Sequence, residues 1–501
     1  MSIATEISRI AAAKSDLRRA INAKGGTIAA ADKLGTYAAQ VDALEPAEFG
    51  NRVRFFDYDG TLLKTVYVAD GEDAAPPTDP VHTGLTFTGW NNDYTDVSGD
   101  IDCGAMYTPT SGKTEIDLRT LVDERNYTLK FTITSGTLTV NWGDGTSADT
   151  VTATGTLAHT YMVRGTYTIT IAASSGAVWQ PGNYFCNGGS SDSEYCTQAV
   201  RFSGITSIPE YALRYCRSLR AVVIPDGVTT VGNYAFYGCY ALRAVVIPDG
   251  VTTMGYAAFY ECYGLACVVW PASCVSVPEQ CFYYCRSLAG IVLPSGVTGI
   301  VSSAFYDCYS LAEAYIPDTV TSIGGSAFSE CYALSTLHLP AGITALSEYV
   351  FRYCYALRAV VIPPSVTTIG VRCFQYCYGL RSVVIPEGVT RIYDRVFESC
   401  YGITSVTLPS TLTRVDYYAF YGCPLKNITI PAAVTYIGSG AFYSYGLLDV
   451  SVLPTTPPTA DGSDIFGSNS NRRITVPAAS LTDYKGATNW SAFADNIFAA
   501  S

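Results

Sequence analysis

Few side chains in this sequence are placed to do covalent or metal chemistry. Asp57 and Asp59 stand two residues apart after the apolar pair Phe55 and Phe56, as paired carboxylates at the end of a strand-like run. Asp144 and His159 offer an acid and an imidazole, and 17 Cys offer thiols that could hold a metal or close disulfides. Only three His occur in the chain, none near a plausible nucleophile, so no catalytic residue, metal site or cofactor is expected.

The run FFDYDGTLL, from Phe55 to Leu63, resembles the nucleophile motif of haloacid-dehalogenase-type phosphatases. That resemblance implies that Asp57 attacks phosphate while Asp59 serves as acid and base. The chemistry needs a Mg²⁺ site in a doubly wound sheet, with further motifs on successive βα units. Here a second strand and a Pro-rich loop follow, and Asp59-Gly60 between alternating apolar runs is a hairpin signal. Asp144 and His159 read likewise as a turn-forming acid and a packing ring.

The thiols are explained by their spacing. Cys216, Cys239, Cys262, Cys285, Cys308, Cys331, Cys354, Cys377, Cys400 and Cys423 recur every 23 residues, and Phe236 to Phe420 keep the same period. Within one unit, Cys239, Leu242, Val245, Ile247, Val251, Met254 and Phe259 are apolar, while Pro248-Asp249-Gly250 supplies a turn. No unit can bury that set alone, so stacked copies must share one core, as in a solenoid. The Cys then form a ladder of small, buried, reduced thiols, with a loop bond between Cys186 and Cys196 left open. This pattern, covering roughly half the chain, resembles the BspA-type leucine-rich repeats. The turn after Cys423 is one residue short and Tyr445 stands where the next Cys is due, departures expected of a terminal repeat.

Composition bounds the rest. Of 501 residues, 48% are hydrophobic and 15% charged, which reads as folded. A net charge of -12 argues against nucleic acid or an anionic membrane surface as partner, and nothing reads as a membrane span or a classical secretion signal.

The expected architecture is multidomain and mainly β: N-terminal helices, two small β domains, then a leucine-rich-repeat solenoid with a small helical C-terminal cap. Residues 1–46 form an attachment or oligomerisation segment. Ile3, Ile7, Ile10, Leu17 and Ile21 give it a short heptad stripe compatible with a homotrimer, or a lone amphipathic helix folded onto its neighbour. The stretch from ATEISRI to KLGTYAAQVDAL resembles the N-terminal segment of phage and prophage tail-associated proteins. Residues 51–110, with Phe87, Gly89 and Trp90 at the motif's usual close, resemble the β-grasp-like repeats of listerial internalins. Residues 114–176 carry Trp142-Gly143-Asp144-Gly145 and His159 to Tyr161, and resemble a PKD-type β-sandwich. Residues 196–456 hold the array, and residues 457–501 a loop and cap in which Leu481, Tyr484, Trp490, Phe493 and Ile497 cover the open core.

Function is placed on the array. Core positions barely change between units, whereas the segments around each core Phe vary and are rich in Tyr. Tyr234, Tyr237, Tyr256, Tyr260, Tyr283, Tyr284, Tyr306, Tyr349, Tyr353, Arg372, Gln375, Tyr376, Asp394, Arg395, Tyr417, Tyr418 and Tyr421 are the recognition candidates. Tyr offers a rigid apolar face and a hydroxyl at low entropy cost. The Tyr that follows each ladder Cys reads equally as a structural stack between coils. A further stripe, Val223, Val246, Val269, Val292, Tyr315, His338, Val361 and Val384, should point away from the core as an exposed sheet or a contact face. Together these features point to a non-enzymatic phage tail fibre that recognises a bacterial surface protein or glycan, trimeric and bound to other virion proteins through its N-terminus. The alternative is a bacterial cell-surface or secreted adhesin.

Overall fold

The structure is a computed structural model that describes residues 50–186 and 195–500. The expected helices of residues 1–46, with Ile3, Ile7, Ile10, Leu17 and Ile21, and the side chain of Cys196 lie outside the described residues.

Alternation of Val53 and Phe55 builds β1 (Asn51–Phe56), which the Asp59-Gly60 turn folds back as β2 (Leu62–Val68). β3 (Leu85–Trp90) and β4 (Ile101–Pro109) complete a sheet of order β2-β1-β4-β3, in which β1 and β4 run parallel. The central strand β4 is not foreseen within residues 51–110, because IDCGAMYTP mixes small and polar residues without a clean alternation. Val53, Phe55 and Cys103 form its small core with Ala74 and Val97.

Two further sheets pack face to face. One contains β5 (Thr114–Thr120), while β6 (Arg125–Ser135) lies in the other; β7 (Leu138–Asn141), β8 (Asp149–Val151) and β10 (Gly165–Ala173) join β5, and β9 (Gly155–Tyr161) and β11 (Val178–Cys186) flank β6. Trp142, Tyr127, Tyr161 and Trp179 are buried between them, and the Tyr161 hydroxyl donates to the Trp142 carbonyl at 2.8 Å.

The sandwich does not end before the array. β12 (Tyr195–Arg201) pairs antiparallel with β5 on one side and parallel with the first array strand, Ala221–Val223, on the other. One hydrophobic core therefore runs from Ile116 through every coil to Ile497. The sandwich plugs the first coil and so covers the open end of the solenoid core.

A typical coil has a strand such as Ala244–Val246, a turn at Pro248-Asp249-Gly250, a two-residue strand such as Thr253–Met254, and a return through the core Phe to the Cys; the coil of residues 357–363 runs extended there without a paired strand. Val245, Ile247, Val251 and Phe259 are fully buried, and their equivalents line up coil upon coil. Core Phe rings stack nearly parallel along the array, from Phe236 on Phe259 at 4.9 Å to Phe420 on Phe442 at 5.4 Å.

The ladder thiols do more than fill space. Cys262 Sγ donates to the Phe236 carbonyl at 3.1 Å, and Cys285, Cys308, Cys331, Cys354, Cys377, Cys400 and Cys423 each reach the core Phe of the preceding coil at 3.1 or 3.2 Å. A Val of similar size would leave that contact unmade, which accounts for Cys at this position. Burial holds the thiols well above their usual pKa, so they stay protonated donors. At the last turn Tyr445 does not replace the next Cys inside the core: it is exposed, while Ser444 is buried and donates to the Leu425 carbonyl at 3.4 Å.

The C-terminal end is closed by strands Arg473–Val476 and Ile497–Ala499 and the helix Leu481–Gly486. Tyr484, Trp490 and Ile497 are buried against the final coil, with the Trp490 indole donating to the Pro458 carbonyl at 2.7 Å.

Candidate recognition surface

Although residues 51–110 precede the array in sequence, they pack against its side. Phe56 and Met106 cluster with Val246 and Val269, and Leu85, Ala105 and Tyr107 with Val223. Asn91 Nδ2 donates to the Ile247 carbonyl at 3.0 Å, and Asn92 Nδ2 to the Trp270 carbonyl at 2.8 Å. Arg52 and Arg54 reach Glu313 at 3.1 and 3.4 Å. The four-stranded sheet thus lies along the side of the array, over its outward strand face.

That docking divides the outward stripe. Val223, Val246, Val269 and Val292 are buried, whereas Val361 is 82% exposed and Val384 65%. His338 is exposed as well. Strand alternation turns all these side chains outward; only the position of a distant segment decides which are covered.

Asp57 falls in the β1–β2 hairpin turn, almost fully buried, and accepts from the Tyr107 hydroxyl at 2.8 Å. His82 Nε2 lies 2.7 Å from its other oxygen. These strands form a mixed sheet, without the parallel doubly wound order that the phosphatase chemistry needs. Asp57→Asn should leave phosphomonoester hydrolysis with Mg²⁺ at background while lowering thermal stability by about 1–3 kcal/mol, because a buried hydrogen-bonded acceptor is disturbed. A loss of catalysed hydrolysis in the variant would restore the enzyme reading. Asp144 caps its turn by accepting from Thr146 N at 3.1 Å, and His159 Nε2 lies 2.7 Å from it while its ring stacks on Trp142 at 4.7 Å.

The return segment between the second strand and each Cys carries the recognition candidates. Its backbone takes two left-handed residues per coil: Tyr234, Tyr349, Arg372, Arg395 and Tyr418 occupy the first such position, and Tyr284, Tyr353 and Tyr376 the second, each of these last at φ 64°. For residues other than Gly this costs roughly 1–2 kcal/mol each. Bonds to the next coil offset it: Tyr284 N donates to Tyr306 O, Tyr353 N to Gln375 O and Tyr376 N to Glu398 O, all at 2.9 Å.

Side chains along this face are held by their neighbours in adjacent coils. Tyr237 lies between the Arg214 guanidinium and Tyr260, and Tyr260, Tyr283 and Tyr306 stack face to face at 4.8 and 4.6 Å. The Tyr306 hydroxyl donates to Glu330 at 2.5 Å; burial first, then that carboxylate, raises its pKa far above the usual phenol value. Tyr234 stacks on Tyr211 and meets Tyr256 edge-on; Tyr256 donates to Gln280. Tyr284 stands edge-on to Tyr283 at 4.5 Å, and Tyr353 stacks on Tyr376 at 4.8 Å. Arg372 donates to the Tyr349 hydroxyl at 2.9 Å. Arg395 lies over Tyr418 and pairs with Glu398, Tyr418 meets Tyr421 edge-on, and Tyr417, whose amide donates to Asp394, reaches Asp461 with its hydroxyl.

Gln375 needs correction as a surface candidate. It is 2% exposed, with its amide held between Arg352 and Glu398, so it offers nothing to a partner. The column of Tyr that follows each ladder Cys is continuous: Tyr309, Tyr332, Tyr355, Tyr378 and Tyr401 stack in turn at 4.6 to 5.1 Å. Arg286 takes one slot as a flat cation between Tyr263 and Tyr309, at 5.2 and 4.8 Å. This column braces the coils, yet its last members emerge: Tyr378 and Tyr401 are exposed. Sequence reasoning also passed over Arg358 and Arg381, which follow the core Leu of two successive coils beside those rings. The signal was present in Gly379 and Gly402, consecutive glycines in a column that elsewhere carries Ala or Ser in most coils.

One carboxylate on this face is held at a cost. Asp307 is 3% exposed, its Oδ2 accepts from Arg286 at 3.2 Å and its Oδ1 has no partner. Burial raises its pKa from 3.8 to about 6, with Arg286 opposing the rise. The folded state therefore binds this proton more tightly than the unfolded chain, and stability falls as pH rises from about 4 through 6. Asp307→Asn, which also suits the left-handed backbone, should be more stable than the parent at pH 7 by about 1–3 kcal/mol, the difference closing toward pH 4. Urea unfolding at the two pH values checks this.

A parallel solenoid of 23-residue coils, with buried Leu, Ile, Phe and Cys rows and a plug at each end, defines a leucine-rich-repeat protein. The chain belongs to the BspA-type leucine-rich repeat family: residues 206–335, 275–404, 321–451 and 368–485 match the BspA type Leucine rich repeat region (6 copies), together more than half of the sequence. Among solved structures, a leucine-rich repeat protein from Bacteroides ovatus is 24% identical, with a TM-score of 0.52 over 59% of this chain and 76% of that one, and has the same fold. A leucine rich cell surface protein from Faecalibacterium prausnitzii is 30% identical over 42% of this chain and 58% of its own, with a TM-score of 0.31. The T. pallidum Leucine Rich Repeat protein is 31% identical over 37% and 84%, with a TM-score of 0.32. Among curated proteins, none matches. No helix of the described residues is long and apolar enough to cross a membrane.

Proposed function

We propose that this protein is a non-enzymatic adhesin of the bacterial cell surface, which binds a surface protein or glycan through the exposed flank of its array. The observation that carries this is the pre-ordered rim. Stacks such as Tyr260, Tyr283 and Tyr306 and clamps such as Arg372 on Tyr349 fix surface side chains before any partner arrives. Ordering costs that weaken most binding surfaces are then met during folding.

Membership of the BspA-type family supports this reading over a phage tail fibre. The tail-fibre reading and the homotrimer rest on residues 1–46, outside the described part of the chain. Labelled full-length protein should bind intact bacterial or host cells saturably and be displaced by unlabelled protein. Only non-saturable binding to every cell type would defeat the adhesin reading. Light scattering of the full chain and of a version lacking residues 1–44 tests assembly separately.

A further inference from the structure

We propose that the groove between Arg358, Arg381 and the end of the Tyr column binds an acidic saccharide, taking its sugar carboxylate on the paired guanidinium groups. This rests on the adhesin reading and adds a site and a ligand class to it.

The groove has a volume of about 480 Å³ and is lined by Arg358, Tyr378, Gly379, Arg381, Gly402 and Thr404. Gly379 and Gly402 line it from two successive coils, each where a Cβ would come within 3.0 Å of a carbonyl oxygen of the preceding coil. Arg358 and Arg381 occupy equivalent positions one coil apart, linked by an Arg381 N to Arg358 O bond of 3.2 Å. Both are exposed, and neither guanidinium has a hydrogen bond, carboxylate or ring partner within the described residues. By contrast, Arg214, Arg286, Arg352, Arg372, Arg391, Arg395 and Arg414 are all held by rings or acceptors. In a chain of net charge -12, two adjacent cations left unpaired form a local site for an anion.

Guanidinium forks match a carboxylate in a bidentate fashion, and two of them one coil apart can share it. The adjoining groups suit a sugar. Tyr401, 57% exposed, is the last ring of its column and stacks only on Tyr378, so one aromatic face is left without a ring partner. Tyr378 and Thr404 add hydroxyls at the groove wall. The strand face beside it, at Val361 and Val384, is also bare, since the four-stranded sheet stops short of these coils.

The molecule contains its own control. Arg220 and Arg243 sit at the same position after the core Leu, in blocks identical from Leu219 to Pro225 and from Leu242 to Pro248, and both are exposed. There the corresponding column holds Ala241 and a single Gly264, and the docked sheet covers the adjoining Val223 and Val246.

Calorimetry on the full-length protein with oligogalacturonate, neutral oligogalactose and poly-glutamate tests the proposal. Oligogalacturonate should bind, with the neutral sugar at least tenfold weaker. Arg358→Ala with Arg381→Ala should weaken binding tenfold or more, the paired Lys variants should recover only part of it, and Tyr401→Ala should cost about fivefold. Arg220→Ala with Arg243→Ala should stay within twofold of the parent. Circular dichroism confirms that each variant is folded. No binding of oligogalacturonate, tighter binding of poly-glutamate, or equal losses in the two Arg pairs would each overturn the site. If cell binding survives in the Arg358/Arg381 variant, this site fails while the adhesin reading stands.

Discussion

Replacing Gly104 by Val should part the four-stranded sheet from the array and turn Cys267 into the fastest-reacting thiol among the described cysteines. Gly104 lies in β4 at the interface, and a Cβ there would come within 2.4 Å of Val246 Cγ1 and 2.6 Å of Cγ2. No rotation of Val246 clears both methyls, because its neighbours Phe56, Met106 and Val269 are packed around it. A second close approach lies at Gly60, where a Cβ would stand 2.8 Å from the Ala244 Cβ and 3.1 Å from the Cys267 Cβ. Cys267 points outward beneath the docked sheet, and its thiol is pushed up to about 12 by burial first and then by Asp102, with Arg54 opposing. Undocking removes both the cover and the Asp102 charge, so the pKa should fall toward the usual thiol range. We expect maleimide labelling at Cys267 to rise by a factor of about 100 at pH 7.5, following the larger thiolate fraction and better access. The ladder thiols, enclosed by coils on both sides, should remain unlabelled until the array unfolds. Peptide mapping after brief alkylation identifies the site. Labelling at a ladder Cys instead, or no change at Cys267, would mean that the sheet stays in place.

Removal of the Arg472 guanidinium should open the C-terminal end of the solenoid. Arg472 is 2% exposed, and its nitrogens donate to the carbonyls of Leu447, Gly467, Ser444 and Phe466, at 3.2, 2.6, 3.2 and 2.8 Å. No carboxylate pairs with it among the described residues, and burial lowers its pKa from 12.5 to about 10. The charge is tolerated because four carbonyls converge on it at the end of the array, where the final coil has no successor to supply donors. Along the array the ladder thiols meet part of that need at the core Phe residues from Phe236 to Phe397; at Phe466 the guanidinium does so. Arg472→Met keeps much of the volume and leaves four carbonyls without their donor, at a cost of roughly 3–5 kcal/mol. Arg472→Lys retains the charge with fewer donors in the right directions, and should fall between. Since coils communicate only with neighbours, the loss should appear as early unfolding of the last coils rather than a uniform shift. Hydrogen exchange should therefore accelerate over residues 440–499 and leave residues 221–300 unchanged. Uniform acceleration, or greater stability in the Met variant, would show that the cap does not depend on these bonds.

Both predictions concern places where local pattern gives no warning. Gly104 reads in sequence as a weak point in an irregular strand, and its reason lies on Val246, far along the chain. Arg472 sits in a polar loop of the sort that ordinarily faces water. In each case the partner is set by how distant segments stack, and no periodicity of the residue's own surroundings reports it.

Other features were legible because they depend on neighbours at a constant offset. A residue inside a regular coil meets its equivalents 23 positions away, so a row of identical side chains predicts its own packing. The Phe stack, the thiol ladder and the inward Val and Ile rows follow directly. The return segments were legible in composition but not in geometry: Tyr marks them, whereas the left-handed backbone and the split between locked rims and a buried Gln375 arise from interlocking of successive coils.

The sequence by itself determined the repeating unit, its core, the state of the ladder thiols and the polar, aromatic character of the flank, since each follows from translation by one period. Tertiary structure alone decided which part of the outward Val stripe is bare, that the sandwich continues into the first coil, and that Arg358 and Arg381 stand unpaired beside Tyr378. The same block, Leu-Arg-Ala-Val-Val-Ile-Pro, is covered at Val223 and Val246 and open at Val361. Identical residues carry identical local preferences; burial depends on where a separate sheet comes to rest, and that is a property of the whole fold.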